Sequence, residues 1–91
     1  MSYAIRFSVK AEKVIIKYKK SNPVFYRKLS QLLTEITEHP RSGTGHPEPL
    51  VAGNSQRYSR RLSANDKIIY DIYDDIVVVY IVSVGGHYDD K

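Results

Sequence analysis

Apolar residues recur at helical spacing in the first part of the chain and at strand spacing in the last. Ala11, Val14, Ile15 and Tyr18 fall at i, i+3, i+4 and i+7, one stripe of an α-helix. Lys10, Lys13, Lys17 and Lys20 lie mostly off that stripe, and the helix is expected to end near Lys20. Ser8 ahead of it suits an N-cap. Phe25, Leu29, Leu32, Leu33 and Ile36 form a second stripe. Asn22 suits its N-cap, Pro23 the first helical position, and Pro40 its end. So short a turn between two helices predicts an antiparallel hairpin.

Tyr3 to Phe7 alternates and predicts a short strand before the first helix. Residues 40–55 hold three of the four prolines and three of the five glycines, and predict a loop. A loop of that length in so small a domain is often functional. Three strand-like stretches follow, Gln56 to Leu62, Lys67 to Tyr73 and Ile76 to Val84, with turns at residues 63–66 and 74–75. The run from Ile76 to Val82 is nearly all β-branched or aromatic and predicts a central strand. The expected fold is α+β, in the order β-α-α-β-β-β. An antiparallel sheet carries the helical hairpin on one face, in two layers.

The 91 residues leave room for one domain, expected over residues 1–91. The absence of cysteine excludes a disulfide-stapled fold, a zinc finger and a thiol enzyme. No apolar run approaches the roughly 18 residues of a membrane helix, and the first residues lack a signal region. The expectation is a cytoplasmic protein with no membrane partner. Charge is divided along the chain. Residues 1–61 carry twelve basic and four acidic side chains, net +8; residues 62–91 carry two and six, net −4. The basic part suits a polyanion such as RNA or an acidic protein partner, and equally suits a solvated surface.

Candidate chemistry is sparse. His39, His46 and His87 have no metal-ligand spacing, so no metal or other cofactor is expected. Glu48 stands between Pro47 and Pro49, which present its carboxylate in a restricted conformation. A general base profits from such placement, though any charged residue on a rigid loop would look the same. His87 and Tyr88 follow two glycines at the end of the predicted central strand, where a histidine can exchange protons near neutral pH or simply trail in solvent. Arg57, Arg60, Arg61 and Lys67 lie on the first two meander strands, as a phosphate-binding group or a solvated face. Tyr3, Tyr18, Tyr70, Tyr73 and Tyr80 are read as sheet and core residues rather than stacking platforms for bases.

Taken together, Gly43-Thr44-Gly45-His46-Pro47-Glu48-Pro49-Leu50, Tyr58-Ser59-Arg60-Arg61-Leu62, Lys67-Ile68-Ile69-Tyr70 and Gly86-His87-Tyr88 resemble the motifs of the YoeB/Txe branch of the RelE-like toxins, in order and spacing. The resemblance implies the toxin half of a bacterial type II toxin–antitoxin module. Such a toxin is an endoribonuclease that cuts mRNA in the ribosomal A site without a metal, through attack of the ribose 2′-OH on the adjacent phosphate. It implies Glu48 as general base, His87 as general acid, Tyr88 as orienting residue and Arg61 as a phosphate ligand. Arg60 and Arg57 are expected to assist in RNA binding. Lys67 departs from the family's usual arginine, keeping the charge and losing the planar fork. Implied partners are an antitoxin of the Phd/YefM type, the ribosome with its mRNA, and a second copy in a homodimer. Two alternatives remain open on sequence: a toxin of the same scaffold aimed at gyrase, and a non-catalytic RNA-binding module.

Overall fold

Both helix starts form as their capping residues predict. In the computed structural model, which describes residues 2–50 and 56–86, the Ser8 side-chain oxygen accepts from the Ala11 N–H at 3.0 Å and opens α1, Val9–Ser21. The same hydroxyl donates to the Val82 carbonyl at 2.7 Å, so the cap also fixes the helix to the sheet. The Asn22 side chain caps α2, Pro23–Glu38, through the Phe25 N–H, with Pro23 in the first turn. The Tyr18 and Phe25 rings meet edge to face across this junction, 4.5 Å between centroids.

The strands are β1 (Ala4–Phe7), β2 (Glu48–Pro49), β3 (Arg57–Arg61), β4 (Lys67–Tyr73) and β5 (Val78–Gly85). They form one sheet in the order β1-β5-β4-β3-β2. The β3-β4-β5 meander is antiparallel, as expected. β1 joins it parallel to β5, so the sheet is mixed rather than wholly antiparallel. The reason is long-range: the free edge of β5 takes up the backbone groups of β1, with the Ala4 N–H on the Val77 carbonyl and the Ser8 N–H on the Ile81 carbonyl. β2, inside the predicted loop, is the second addition; it pairs with β3, Glu48 opposite Ser59 and Pro49 opposite Tyr58.

One face of the sheet is the core. Ala11 from α1 and Leu29, Leu32 and Ile36 from α2 pack on Leu62, Ile68, Tyr70, Ile72, Val79, Ile81 and Val84. Each Leu, Ile or Val among them contributes about 1.5–3 kcal/mol on burial. The last strand starts later than its apolar run suggests. Ile76 and Val77 lie in the turn, Ile76 largely exposed and Val77 at φ 56°, an uncommon conformation for a β-branched residue. That conformation goes with a Val77 carbonyl bonded to β1.

Asp74, in the same turn, ties three segments together. It accepts from the Tyr3 hydroxyl at 2.6 Å and from both terminal nitrogens of Arg41, at 3.2 and 3.0 Å. The Arg41 bonds, and then the Tyr3 bond, hold the Asp74 carboxyl below its usual range. A depressed folded-state pKa stabilises the fold above the ordinary carboxylate value, and that contribution is lost as pH falls through the folded value. Asp74→Asn is therefore expected to destabilise the protein at neutral pH, with the gap from wild type narrowing below about pH 4. Urea unfolding of both proteins at several pH values checks this; a gap independent of pH would exclude the carboxylate as its source.

Candidate active site

The strand registers decide which predicted side chains share a surface. Ile68 faces the helices, and Arg60 stands opposite it, so Arg60 points inward and its neighbours Ser59 and Arg61 point to the other face. Glu48, opposite Ser59, is on that outer face too. Arg61 pairs with Lys67, and Lys67 with Gly85. Neighbouring strands lie about 4.8 Å apart. Glu48, Arg61 and Lys67 thus form a carboxylate and two cations on adjacent strands of one face, all exposed. The described chain reaches Gly86 beside this group. His87 and Tyr88, the expected acid and orienting residue, lie outside the described residues.

The loop that delivers Glu48 is bonded along its length. The Arg61 N–H donates to the Gly45 carbonyl at 2.6 Å and the Leu50 N–H to the Arg57 carbonyl at 2.9 Å. Gly45 has φ +89°, and a Cβ there would stand 2.5 Å from the Arg61 carbonyl oxygen. Only glycine fits that approach of loop to strand.

Arg60 corrects the sequence expectation. Its side chain is fully buried and is removed from any phosphate on the outer face. One terminal nitrogen donates to the Glu35 carboxylate at 3.0 Å; the other donates to the carbonyls of His39 and Ser42 at 2.7 and 2.9 Å. Its Nε lies 3.4 Å from the Tyr70 hydroxyl, which donates to the Pro40 carbonyl at 2.7 Å. Burial pushes the Tyr70 phenol up, which keeps it the donor of that bond. Glu35 in turn accepts from the Thr44 N–H at 3.0 Å and the Thr44 hydroxyl at 3.3 Å. The strand pattern itself carries the signal: Tyr58, Arg60 and Leu62 alternate, so an arginine falls on the apolar side. Glu35 and Tyr70 carry no such signal and are not in the sequence-derived site.

Arg57 lies on the outer face, where its fork is engaged by Asp71, at 2.6 and 2.8 Å. Asp71 is buried and Arg57 about one third exposed, so this is a structural pair and not a phosphate clamp held open. Among the described residues no three His, Asp or Glu side chains form a metal-binding group. No described helix is long and apolar enough to cross a membrane.

Comparison with known proteins gives a family and a fold. The family profile of the YoeB-like toxin of bacterial type II toxin–antitoxin systems matches residues 7–88. A toxin YoeB of Streptomyces coelicolor is 34% identical over 62 residues, which is 68% of this chain and 71% of that protein. The solved YoeB dimer from Staphylococcus aureus superposes with a TM-score of 0.81 at 26% identity, over 97% of this chain and 100% of the other. The same organism's YoeB in a heterotetrameric complex with YefM superposes with a TM-score of 0.79 at 26% identity, over 97% and 100%.

Proposed function

The chain belongs to the YoeB-like toxins of bacterial type II toxin–antitoxin systems, and from that membership we propose that it is an endoribonuclease that cuts mRNA in the ribosomal A site. The observation that carries the reading is the outer-face group of Glu48, Arg61 and Lys67, set on three adjacent strands next to Gly86. In this reading Glu48 takes the proton from the ribose 2′-OH. The freed oxygen attacks the adjacent phosphorus, the bond to the 5′-oxygen breaks, and His87 returns a proton to that leaving oxygen. The products are a 2′,3′-cyclic phosphate and a 5′-hydroxyl end. Arg61 and Lys67 supply positive charge where the phosphorane gathers negative charge. Tyr88 orients the scissile nucleotide. Arg60 and Arg57 are left out of the RNA-binding group, because their guanidinium groups are held by Glu35 and Asp71.

The proposed partners follow the same membership. An antitoxin of the YefM type is expected to bind the toxin, as YefM binds YoeB in the Staphylococcus aureus complex. Self-association is expected by likeness to the dimer from that organism.

The test is single-turnover cleavage on ribosomes programmed with a defined A-site codon, comparing wild type with His87→Ala. The variant is expected to be slower by about 10²–10⁴-fold, the usual worth of a positioned acid. Equal rates would remove His87 from the mechanism. Absence of cleavage by folded wild type on every codon would turn the reading toward gyrase or simple binding. Lys67→Arg restores a bidentate fork at a position that already carries the charge. It is expected to leave the rate equal or raise it several-fold in the same assay. A large loss would mean that the outer face is built around the slimmer ammonium.

A further inference from the structure

We infer that Arg60, with Glu35, is the positioning device of the proposed active site, acting through Glu48 without touching RNA. The inference rests on the reading of Glu48 as general base. Arg60 and Arg61 are consecutive on β3 and point to opposite faces. Arg61 stands in the proposed site. Arg60 reaches through the core to the segment between α2 and β2, where it holds the His39 and Ser42 carbonyls and the Glu35 carboxylate. Glu35 holds the backbone N–H of Thr44. Gly45, next in sequence, is bonded to the Arg61 backbone. Glu48 lies three residues further on, in a strand of two residues that has little pairing of its own. The segment is thus clipped at both ends: to the sheet by Gly45 and Leu50, and to α2 through Glu35. A buried guanidinium donating to two backbone carbonyls fixes a loop more narrowly than apolar packing does, because each bond has its own direction. A displacement of about 1 Å at a catalytic group can cost 10²-fold in rate.

The test is a double-mutant cycle that combines Glu35→Ala with Glu48→Gln, read by single-turnover cleavage on programmed ribosomes and by residue-resolved amide exchange. Glu35→Ala is expected to lower the rate constant about tenfold, with half-saturating ribosome concentration changed less than twofold. In the Glu48→Gln background the same change is expected to cost less than twofold, since the group it positions is gone. Glu35→Gln keeps an acceptor for Arg60 and Thr44 and is expected to stay within threefold of wild type. Exchange at Thr44 and Arg61 is expected to speed up tenfold or more in Glu35→Ala, while Ile68 to Ile72 stay protected. An equal rate cost in both backgrounds, or unchanged exchange at Thr44, would overturn the inference. If wild type cleaves nothing, the catalytic reading fails by itself, and the exchange data still decide whether Glu35 holds the loop. Should Glu35→Ala not fold, Thr44→Ala weakens the same clip from the surface, removing the hydroxyl bond to Glu35 while the backbone N–H bond stays. About threefold in rate is then expected, and no change in either background would overturn the inference.

Discussion

Glu48→Gln is expected to reduce single-turnover mRNA cleavage on programmed ribosomes by about 10²–10⁴-fold, with ribosome binding unchanged. The amide matches the carboxylate in size and cannot accept a proton from the 2′-OH. The backbone around it is fixed by bonds that do not involve its side chain, from Arg61 N–H to the Gly45 carbonyl and from Leu50 N–H to the Arg57 carbonyl. The loss therefore reports on chemistry and not on a displaced loop. Glu48→Asp keeps the base and withdraws it by one methylene, so its rate is expected between those of wild type and the amide. Retention of more than a tenth of the wild-type rate by the Gln variant would remove Glu48 as the base and leave Arg61 and Lys67 as a binding surface.

The largest stability effect is expected at Arg60. Arg60→Met roughly preserves the volume of the side chain and removes every bond it makes. Glu35 is about 30% exposed and can be rehydrated. The carbonyls of His39 and Ser42 lose their charged donor. Hydrogen bonds to a charged group contribute about 1.5–3 kcal/mol each. The expected loss is about 3–5 kcal/mol, read as a lower urea midpoint with an unchanged slope. Replacing buried ion pairs by apolar groups is often harmless because both partners leave. Here the backbone partners stay. A loss under about 1 kcal/mol would mean that water or another donor serves those carbonyls in the variant.

The sequence made the local structure legible and left the long-range structure mostly hidden. Ser8 and Asn22 mark helix starts through bonds made within three residues, Pro23 through its fixed φ, and all three hold. The meander is equally local, since short turns leave neighbouring strands no other partner. Nothing in Ala4 to Phe7 says which strand it will join or in which direction, because any free edge offers the same backbone groups. Apolar content also misled at Ile76 and Val77, where a strand-like composition serves a turn. For the proposed site, the register sets Glu48, Arg61 and Lys67, all named by the motifs, on one face of the sheet. Motif and register part at Arg60, whose residue type suggests phosphate and whose place in the strand alternation assigns it to the core.

The position of β5 between β1 and β4 has a consequence for how the chain acquires its shape. The pairing of β1 with β5 joins residues far apart in sequence; even the Ser8 hydroxyl bonds a carbonyl 74 positions away. Contacts of such high order close late, after the shorter loops have formed. A nascent chain that has emerged only through β4 lacks Val79, Ile81 and Val84 from its core and offers β1 no edge to join. Helix caps and the β3–β4 hairpin form at that stage, while the apolar underside of α1 and α2 stays open to water. Completion of the core waits for β5, the strand that borders both β1 and β4.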